Sequence, residues 1–194
     1  MRREQILRAA MDEIAEQGYA HATMSRIAKR AGASKETLYS WFGDKPGLAS
    51  ALIAANADRA LSVPSSENID SAYTIEQARG ALLKCAEGLL DLLTSRESVA
   101  LNRAAMESQA LAHELLAAGR GRTGSAVEQY LARLHELGIL HAPDIRDAFR
   151  LLYGLTIQDA QIQALLGAPP LTTTEKRRRA EQAVDRFLAL TSTS

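Results

Sequence analysis

The stretch GASKETLYSWFGDK, residues 32–45, decides how the N-terminal part of this chain folds. Gly32 can adopt the left-handed backbone conformation that ends one helix and begins a tight turn. Ser34 can then cap a new helix, in which Leu38 and Phe42 share an inner face at a spacing of four residues. The chain has only 3 Phe, 5 Tyr and 1 Trp, yet YSWF holds one of each. This helix therefore presents aromatic side chains beside lysines, and we expect a functional surface there.

The residues on either side of this stretch predict three further helices. Apolar residues at helical spacing indicate a first helix over 4–17, which Gly18 would end. Thr23 can cap a short second helix, MSRIAKRA, before the glycine turn. A fourth helix is expected from about Lys45 to Leu61. Two short helices joined by a glycine turn and packed on a longer first helix are the layout of a helix-turn-helix.

A second helical region is predicted after a connecting segment. The segment SVPSSENIDS, residues 62–71, has the proline, serine and asparagine content of a connection between domains. Capping boxes at 74–77 and 172–175 each precede an apolar stripe at helical spacing. We therefore predict an all-α chain with two domains, residues 1–61 and 72–194. Further helices of the second domain are predicted over about 97–118, 124–138, 144–166 and 174–191.

The composition excludes several classes of protein. The chain has 23 Lys and Arg against 23 Asp and Glu, but residues 24–45 carry five basic side chains against two acidic ones. Cys85 is the only cysteine, which excludes an internal disulfide framework and a thiolate-rich zinc site and fits a reducing compartment. No apolar run approaches the roughly 20 residues that span a membrane. We therefore predict a cytoplasmic protein without a membrane partner.

Residues 23–52, TMSRIAKRAGASKETLYSWFGDKPGLASAL, resemble the DNA-binding domain of the tetracycline-repressor (TetR) family, and the resemblance covers about residues 3–58. It rests on the threonine that begins the second helix, the I-A-x-x-A-G core, the S-x-x-T-L-Y start of the third helix and the aromatic stretch closed by Lys45. The ending AVDRFLAL, residues 183–190, resembles that of an AefR-like subgroup.

The resemblance implies an architecture and a function. An N-terminal three-helix helix-turn-helix domain would bind DNA, and a C-terminal helical domain would bind a ligand and form a homodimer. Such a dimer would bind a near-palindromic operator as a repressor and leave it when a small-molecule effector binds. No cofactor is implied besides this effector, and the sequence leaves its identity, the operator and the sign of regulation open.

The resemblance also implies, position by position, which side chains meet double-stranded DNA. Lys35 and Thr37 on the third helix would read base edges, and Lys45 would meet a phosphate. Glu36 stands where many relatives have Gly or Pro, so it must either bind a cytosine amino group or be held away from phosphate. Trp41 either binds a phosphate through its indole N–H or packs against the fourth helix. The implied DNA-binding residues are Thr23, Ser25, Arg26, Ser34, Lys35, Glu36, Thr37, Tyr39, Ser40, Trp41 and Lys45.

The second domain offers candidates for effector binding and for the dimer. Asn102, Met106 and Gln109 share one helical face, for which a solvent-exposed stripe is the alternative. Cys85 and Tyr153 could line a cavity or belong to the core. These five are the predicted ligand-binding residues. In TetR-like dimers, two apolar stripes of this kind pair with those of a second copy, although they could also simply close the monomer. The predicted dimer interface consists of Phe149, Leu152, Thr156, Val184, Phe187 and Leu188.

No catalytic motif is complete. His113 and His135 are each followed by a glutamate, as at the start of the zinc motif HExxH, but Ala117 and Ile139 replace the second histidine. The sequence also lacks a glycine-rich phosphate loop and a nucleophile elbow. We therefore predict no enzyme activity, no catalytic residue and no metal site. The alternative function is a helical ligand-binding or interaction protein without DNA binding, which the acidic side chain of Glu36 favours.

Overall fold

A computed structural model describes residues 2–60 and 63–192, and within them every side chain except those of 57–60 and 118–123. Leu61 and Ser62, predicted to end the fourth helix and begin the connection, lie outside the described residues. The described residues contain no strand, which confirms the predicted all-α fold. They form the helices α1 (Arg2–Gln17), α2 (Met24–Ala31), α3 (Lys35–Phe42), α4 (Lys45–Ala60), α5 (Ile75–Thr94), α6 (Arg96–Glu107), α7 (Gln109–Glu114), α8 (Gly121–Glu136), α9 (Ile145–Ile157), α10 (Ala160–Leu165) and α11 (Thr173–Leu190), with a 3-10 turn at Ser66–Asn68 and a π-helical turn at Leu115–Arg120.

The chain divides into two compact units, each built from two separate segments. The N-terminal unit consists of Met1–Ala57 and Ser95–Gly121, and the C-terminal unit of Asp58–Thr94 and Arg122–Ser194. The chain therefore passes between the units three times. The connection predicted over 62–71 lies near the first of these passages only. Helices α6 and α7 follow α5 in sequence but belong to the N-terminal unit.

One apolar core holds the N-terminal unit together, and α1, α2, α3, α4, α6 and α7 all contribute to it. Ile6, Ile27 and Leu38 are fully buried where the first three helices meet. Leu101 of α6 and Leu111 of α7 are buried in the same cluster, and α6 packs directly on α1. The helix-turn-helix is thus supported by helices that come from a distant part of the sequence.

Local hydrogen bonds fix the path of the helix-turn-helix as the sequence predicts. Thr23 Oγ1 accepts a hydrogen bond from the backbone N–H of Arg26 at 3.3 Å and caps α2. Ser34 Oγ accepts one from the backbone N–H of Thr37 at 3.1 Å and caps α3. Gly32 has a φ of +60°, a conformation that a residue with a side chain adopts only with strain. The turn between the two helices therefore depends on glycine.

The C-terminal unit packs α5, α8, α9, α10 and α11 around a second apolar core. Leu82, Tyr130 and Phe187 are fully buried in it, and α11 packs on both α5 and α9. Both predicted capping boxes are present, with reciprocal hydrogen bonds of 2.8 and 3.3 Å at 74–77 and of 2.8 and 3.2 Å at 172–175. No helix in the described ranges is long and apolar enough to cross a lipid bilayer.

Two helices that the periodicity predicts as continuous are interrupted. The helix predicted over 97–118 breaks at Ser108, whose hydroxyl accepts a hydrogen bond from the backbone N–H of Leu111 at 3.4 Å and caps α7. The helix predicted over 144–166 breaks at Gln158, which has a φ of +47°. Apolar spacing does not detect either break, because a serine side chain and a left-handed residue end a helix without changing its apolar face.

Candidate nucleic-acid interface

The outer face of α3 is exposed along its length. Tyr39 and Trp41 expose 52% and 46% of their surface. Lys35, Glu36 and Ser40 are exposed on the same helix. Because the opposite face of α3 is buried in the core, these five side chains are the ones that the helix can offer to a partner. A surface that combines a lysine, hydroxyls and exposed aromatic rings suits the phosphates and base edges of DNA.

Three of the predicted DNA contacts also hold the two helices in shape. Thr23 and Ser34 are exposed, but each hydroxyl caps its own helix. Thr37 is half-buried, and its hydroxyl oxygen lies 3.0 Å from that of Ser34. Ser25 is exposed on α2 and takes no part in either cap. Among these four hydroxyls, that of Ser25 is therefore the best placed to bind DNA.

The neighbouring rings of Trp41 and Phe42 divide between the surface and the core. Phe42 is buried, and the two ring centroids lie 6.4 Å apart in an edge-to-face contact. The guanidinium of Arg3, on α1, lies 5.5 Å from the centre of the Phe42 ring. Phe42 thus anchors α3 to α1, while the half-exposed Trp41 remains at the surface. A phosphate contact from its indole N–H stays a prediction.

Glu36 shows how a carboxylate can be accommodated on this helix. Hydrogen bonds to its own backbone N–H and then to Ser34 lower the pKa of Glu36. The unpaired N–H groups of a helix N-terminus stabilise a negative charge in this position. The geometry favours the alternative in which Glu36 is held at the start of α3 and away from a phosphate.

Lys45 has a structural task that the sequence does not reveal. Its Nζ donates hydrogen bonds to the carbonyl oxygens of Tyr19, Ala20 and Ala22 at 2.7, 3.2 and 3.0 Å. It also lies 4.4 Å from the centre of the Tyr19 ring, and burial lowers its pKa. The ammonium group thus ties the start of α4 to the loop between α1 and α2. A phosphate contact from Lys45 stays a prediction. The phosphate would have to share the ammonium group with the three carbonyl oxygens that it already binds.

Arg26 is also bound within the protein. Its Nε lies 2.6 Å from Oε1 of Glu13, a carboxylate on α1 whose side chain is only 4% exposed. Glu13 cannot be recognised from the sequence, because a glutamate on the inner face of α1 looks like an interruption of the apolar spacing. An arginine one helix away is the only sequence signal that could have pointed to the pair.

The predicted ligand-binding residues do not gather within one unit. Asn102, Met106 and Gln109 belong to the N-terminal unit, whereas Cys85 and Tyr153 belong to the C-terminal unit. Met106 is 73% exposed and Gln109 is also exposed, as the alternative of a solvent-facing stripe requires. Asn102 Nδ2 donates a hydrogen bond to the carbonyl oxygen of Ser98 at 2.8 Å. The ligand-binding role of the five residues stays a prediction.

The C-terminal core contains a pair of polar groups that the sequence does not reveal. The hydroxyl oxygens of Tyr73 and Tyr130 lie 3.1 Å apart, and Tyr130 is fully buried. Burial, followed by the hydrogen bond with Tyr73, raises the pKa of Tyr130. Cys85 belongs to the same buried cluster. Because Tyr130 occupies an ordinary apolar position of α8, its hydroxyl could be recognised as a special feature only from the structure.

Alkaline pH is expected to destabilise the C-terminal unit through Cys85. Burial raises the pKa of this thiol from 9.0 to about 12. Between these values the unfolded chain loses the thiol proton while the folded chain keeps it, so stability falls as the pH rises from about 9 towards 12. The loss is on the order of a few kcal/mol. Chemical denaturation at pH 8 to 11 measures the free energy of unfolding across this range. The free energy of unfolding of Cys85→Ala should fall less steeply with pH than that of the wild type. An equally steep fall would contradict the role of the Cys85 thiol.

Four of the six predicted dimer-interface residues are buried within the monomer, as the alternative of stripes that close the monomer expects. Leu152 is 3% exposed, and Thr156, Val184 and Phe187 are fully buried. Their part in a dimer interface stays a prediction. Phe149 and Leu188 are partly buried against the same core. The exposed large apolar residues of this unit are Ile75, Ile162, Leu166 and Leu190.

The described residues contain no group of three or more His, Cys, Asp or Glu side chains that could hold a metal ion. His135 and His141 do lie together, with ring centroids 5.8 Å apart, but the backbone N–H of Ala142 points to His135 Nδ1 at 3.4 Å. The histidine pair thus helps to order the turn after α8.

Comparisons with known proteins agree with this geometry. Residues 6–52, which contain the helix-turn-helix, match the tetR family of bacterial regulatory proteins. Residues 80–190 match the C-terminal domain of AefR-like transcriptional repressors. The regulator BetI of Stenotrophomonas maltophilia is 49% identical over 51 residues, which are 26% of this chain and 26% of BetI. The chain therefore spans about a quarter of the length of this curated relative.

Solved structures extend the similarity over almost the whole chain. A TetR transcriptional regulator from Agrobacterium tumefaciens is 31% identical, with a TM-score of 0.81 over 99% of this chain and 95% of its own. The flavonoid-responsive regulator FrrA is 27% identical, with a TM-score of 0.69 over 98% of this chain and 97% of its own. The similarity thus includes both compact units.

Proposed function

Because this chain belongs to the TetR family of transcriptional regulators, we propose that it is a cytoplasmic, dimeric repressor that leaves a near-palindromic operator when a small molecule binds. The observation that carries this proposal is the exposed outer face of α3 on a capped helix-turn-helix. The fold and the family are those of regulators that bind DNA. Repression, the dimer and ligand release are the parts that experiments have to establish.

The side chains of α3 divide into two proposed tasks. Lys35 is exposed in the first turn, where a recognition helix usually reaches the base edges of a major groove. Tyr39 lies one turn later, where its phenol can bind a phosphate and its ring can line the groove. Ser25 on α2 offers its hydroxyl to a phosphate of the adjacent DNA backbone. Phosphate contacts set the position of the helix, and Lys35 contributes sequence preference.

The exposed apolar residues of the C-terminal unit support the proposed dimer. Leu166 is 82% exposed, Leu190 67% and Ile162 61%. Exposed apolar side chains that form one contiguous patch mark a surface that a partner covers, and we assign that partner as a second copy of this chain. Since one helix-turn-helix reads one half-site, a second copy would also supply the second half-site of a palindrome.

The tyrosine pair of the C-terminal core supports a proposal about the effector. In an apolar core, the hydroxyls of Tyr73 and Tyr130 have each other as partners, so one O–H can still donate to a ligand oxygen. The effector would then be an apolar molecule with a hydroxyl or carbonyl group. FrrA, at 27% identity, is named for its response to flavonoids. Flavonoids are therefore the first compounds to test for release of operator DNA.

Selection of binding sites from a random duplex library, with purified protein at two salt concentrations, tests the DNA-binding proposal. An enriched near-palindrome whose binding weakens steeply as salt rises supports it, because each neutralised phosphate releases a counterion. No enrichment at low salt would favour the alternative of a ligand-binding or interaction protein that does not bind DNA. The selected site also supplies the operator needed to screen effectors.

Substitution of Lys35 tests base reading within that operator. Lys35→Ala should weaken specific binding by about 1–3 kcal/mol and relax the preference at one symmetric pair of positions, because a base-edge hydrogen bond is lost. Binding to a panel of operators with single base-pair changes measures both effects. A uniform loss across the whole panel would show that Lys35 binds a phosphate.

A further inference from the structure

A buried carboxylate lies under the helix-turn-helix. Glu13 is on α1 among side chains of the apolar core, and only 4% of its side chain is exposed. A buried carboxylate is unfavourable unless opposite charges or hydrogen bonds compensate for the lost water. The residues that provide this compensation belong to α2, the helix that precedes the recognition helix.

Two arginines of α2 meet two carboxylates of α1. Arg26 Nε lies 2.6 Å from Glu13 Oε1, and Arg30 Nε lies 3.8 Å from Glu13 Oε2. Arg30 also donates a hydrogen bond to Glu16, which lowers the pKa of that exposed carboxyl. Glu13 thus contacts both arginines, whereas Glu16 contacts one of them.

The contact between Glu13 and Arg26 is held by charge more than by hydrogen-bond geometry. Glu13 Oε1 is buried without an aligned hydrogen bond, although the Arg26 guanidinium lies against it. The Arg26 side chain is 51% exposed beside Ser25, on the surface from which α2 would meet DNA. The negative charge of Glu13 therefore offsets the positive charge that this guanidinium could offer to a DNA phosphate.

From this arrangement, and on the basis of the DNA-binding function proposed above, we propose that Glu13 is a specificity-determining residue. Its carboxylate binds Arg26 and, together with Glu16, draws Arg30 towards α1, which reduces the positive charge that both arginines offer to phosphates of any sequence. Lys35 and the other exposed side chains of α3 then contribute a larger share of the binding energy. Phosphate contacts carry no sequence information, so withholding two of them lowers non-specific binding more than specific binding.

Glu13→Gln tests the proposal, because it removes the charge and keeps the size of the side chain. Each arginine that is released onto a phosphate should steepen the slope of log K against log salt by about 0.9. We expect Glu13→Gln to bind a random-sequence duplex several-fold more tightly, with a slope steeper by roughly one to two such increments. The preference for operator over random duplex should fall. Fluorescence anisotropy over a salt series measures all three.

Glu16→Gln is the matched control. It makes the same chemical change one turn away on α1, but its carboxylate is exposed and forms its ion pair with Arg30. Arg26 remains bound to Glu13 in this variant, so the slope should change by less than in Glu13→Gln. The additional change Arg26→Gln in the Glu13→Gln background should reverse most of the steepening.

Two results would overturn the proposal. A folded Glu13→Gln protein with the salt slope of the wild type would mean that Glu13 only stabilises the packing of α2 on α1. If Glu13→Gln does not fold, the double variant Glu13→Leu/Arg26→Leu keeps the test possible. A slope equal to that of the wild type, or steeper by up to about one increment because Arg30 is released, supports the proposal. A shallower slope shows that Arg26 already binds phosphate and overturns it. If the wild type itself binds no DNA, the proposed function fails, and the proposal for Glu13 fails with it.

Discussion

Phe187→Asp is expected to unfold the C-terminal unit rather than to produce a folded monomer. Phe187 is fully buried in the core of α11 and its neighbours. Loss of a buried phenylalanine side chain costs about 3–5 kcal/mol, and an unpaired carboxylate in its place adds several more. Because a domain is typically stable by about 5–15 kcal/mol, the substitution removes most or all of its stability.

Circular dichroism during thermal melting, combined with sedimentation, distinguishes unfolding from a change of assembly. Leu166→Asp is the control, because the same new charge is placed at a residue that is 82% exposed. It should change the free energy of unfolding by no more than about 0.5 kcal/mol. If a dimer covers this residue, Leu166→Asp should sediment as a folded monomer. A Phe187→Asp protein with wild-type melting would contradict the burial described above.

Gly47→Ala is expected to destabilise the N-terminal unit and to abolish operator binding. A Cβ atom on Gly47 would overlap the carbonyl oxygen of Phe42, which is backbone and cannot rotate away. The backbone N–H of Gly47 also donates to Asp44 Oδ1 at 2.8 Å, so the first turn of α4 is fixed against the end of α3. Relief of the overlap requires a shift between the two helices, at a cost of about 3 kcal/mol or more.

Gly80→Ala provides the matched control for that prediction. Gly80 lies inside α5, and an added Cβ would meet no atom within 4 Å. Alanine favours a helix over glycine by about 1 kcal/mol, so this variant should be slightly more stable than the wild type. Melting temperature and binding to the selected operator should be measured for both variants. Gly47→Ala with wild-type values for both would show that the contact with Phe42 does not restrict α3.

The caps and the turn of the helix-turn-helix could be predicted from sequence, because each depends on residues only a few positions apart. A cap needs a hydroxyl three residues before an N–H, and a left-handed turn needs glycine, so Thr23, Ser34 and Gly32 could be identified without coordinates. The inward positions of α3 follow from a spacing of four. The break at Gln158 could not be predicted in this way, because nothing in the sequence marks a glutamine with positive φ.

The partners of buried or charged side chains could not be predicted, because they come from other helices. Periodicity identified the apolar stripe that contains Phe187, but it does not tell whether α5 or a second molecule covers that stripe. The three carbonyl partners of Lys45 could not be predicted, because they lie more than 20 residues away in the sequence. Glu13 was missed for the same reason. Nor does any local signal assign α6 and α7 to the N-terminal unit.

Because α6 and α7 contribute to its core, the N-terminal unit cannot be moved into another protein as one continuous segment. Leu101, Ala105 and Leu111 are buried in its core, although they come after the whole of α5. A fragment that stops after α4 would leave the matching apolar surface of α1 open to water and prone to aggregation. A chimera that exchanges this unit between such regulators would need three splices, one on each side of α5 and one after Gly121. Recombination at a single point would separate the unit from part of its own interior.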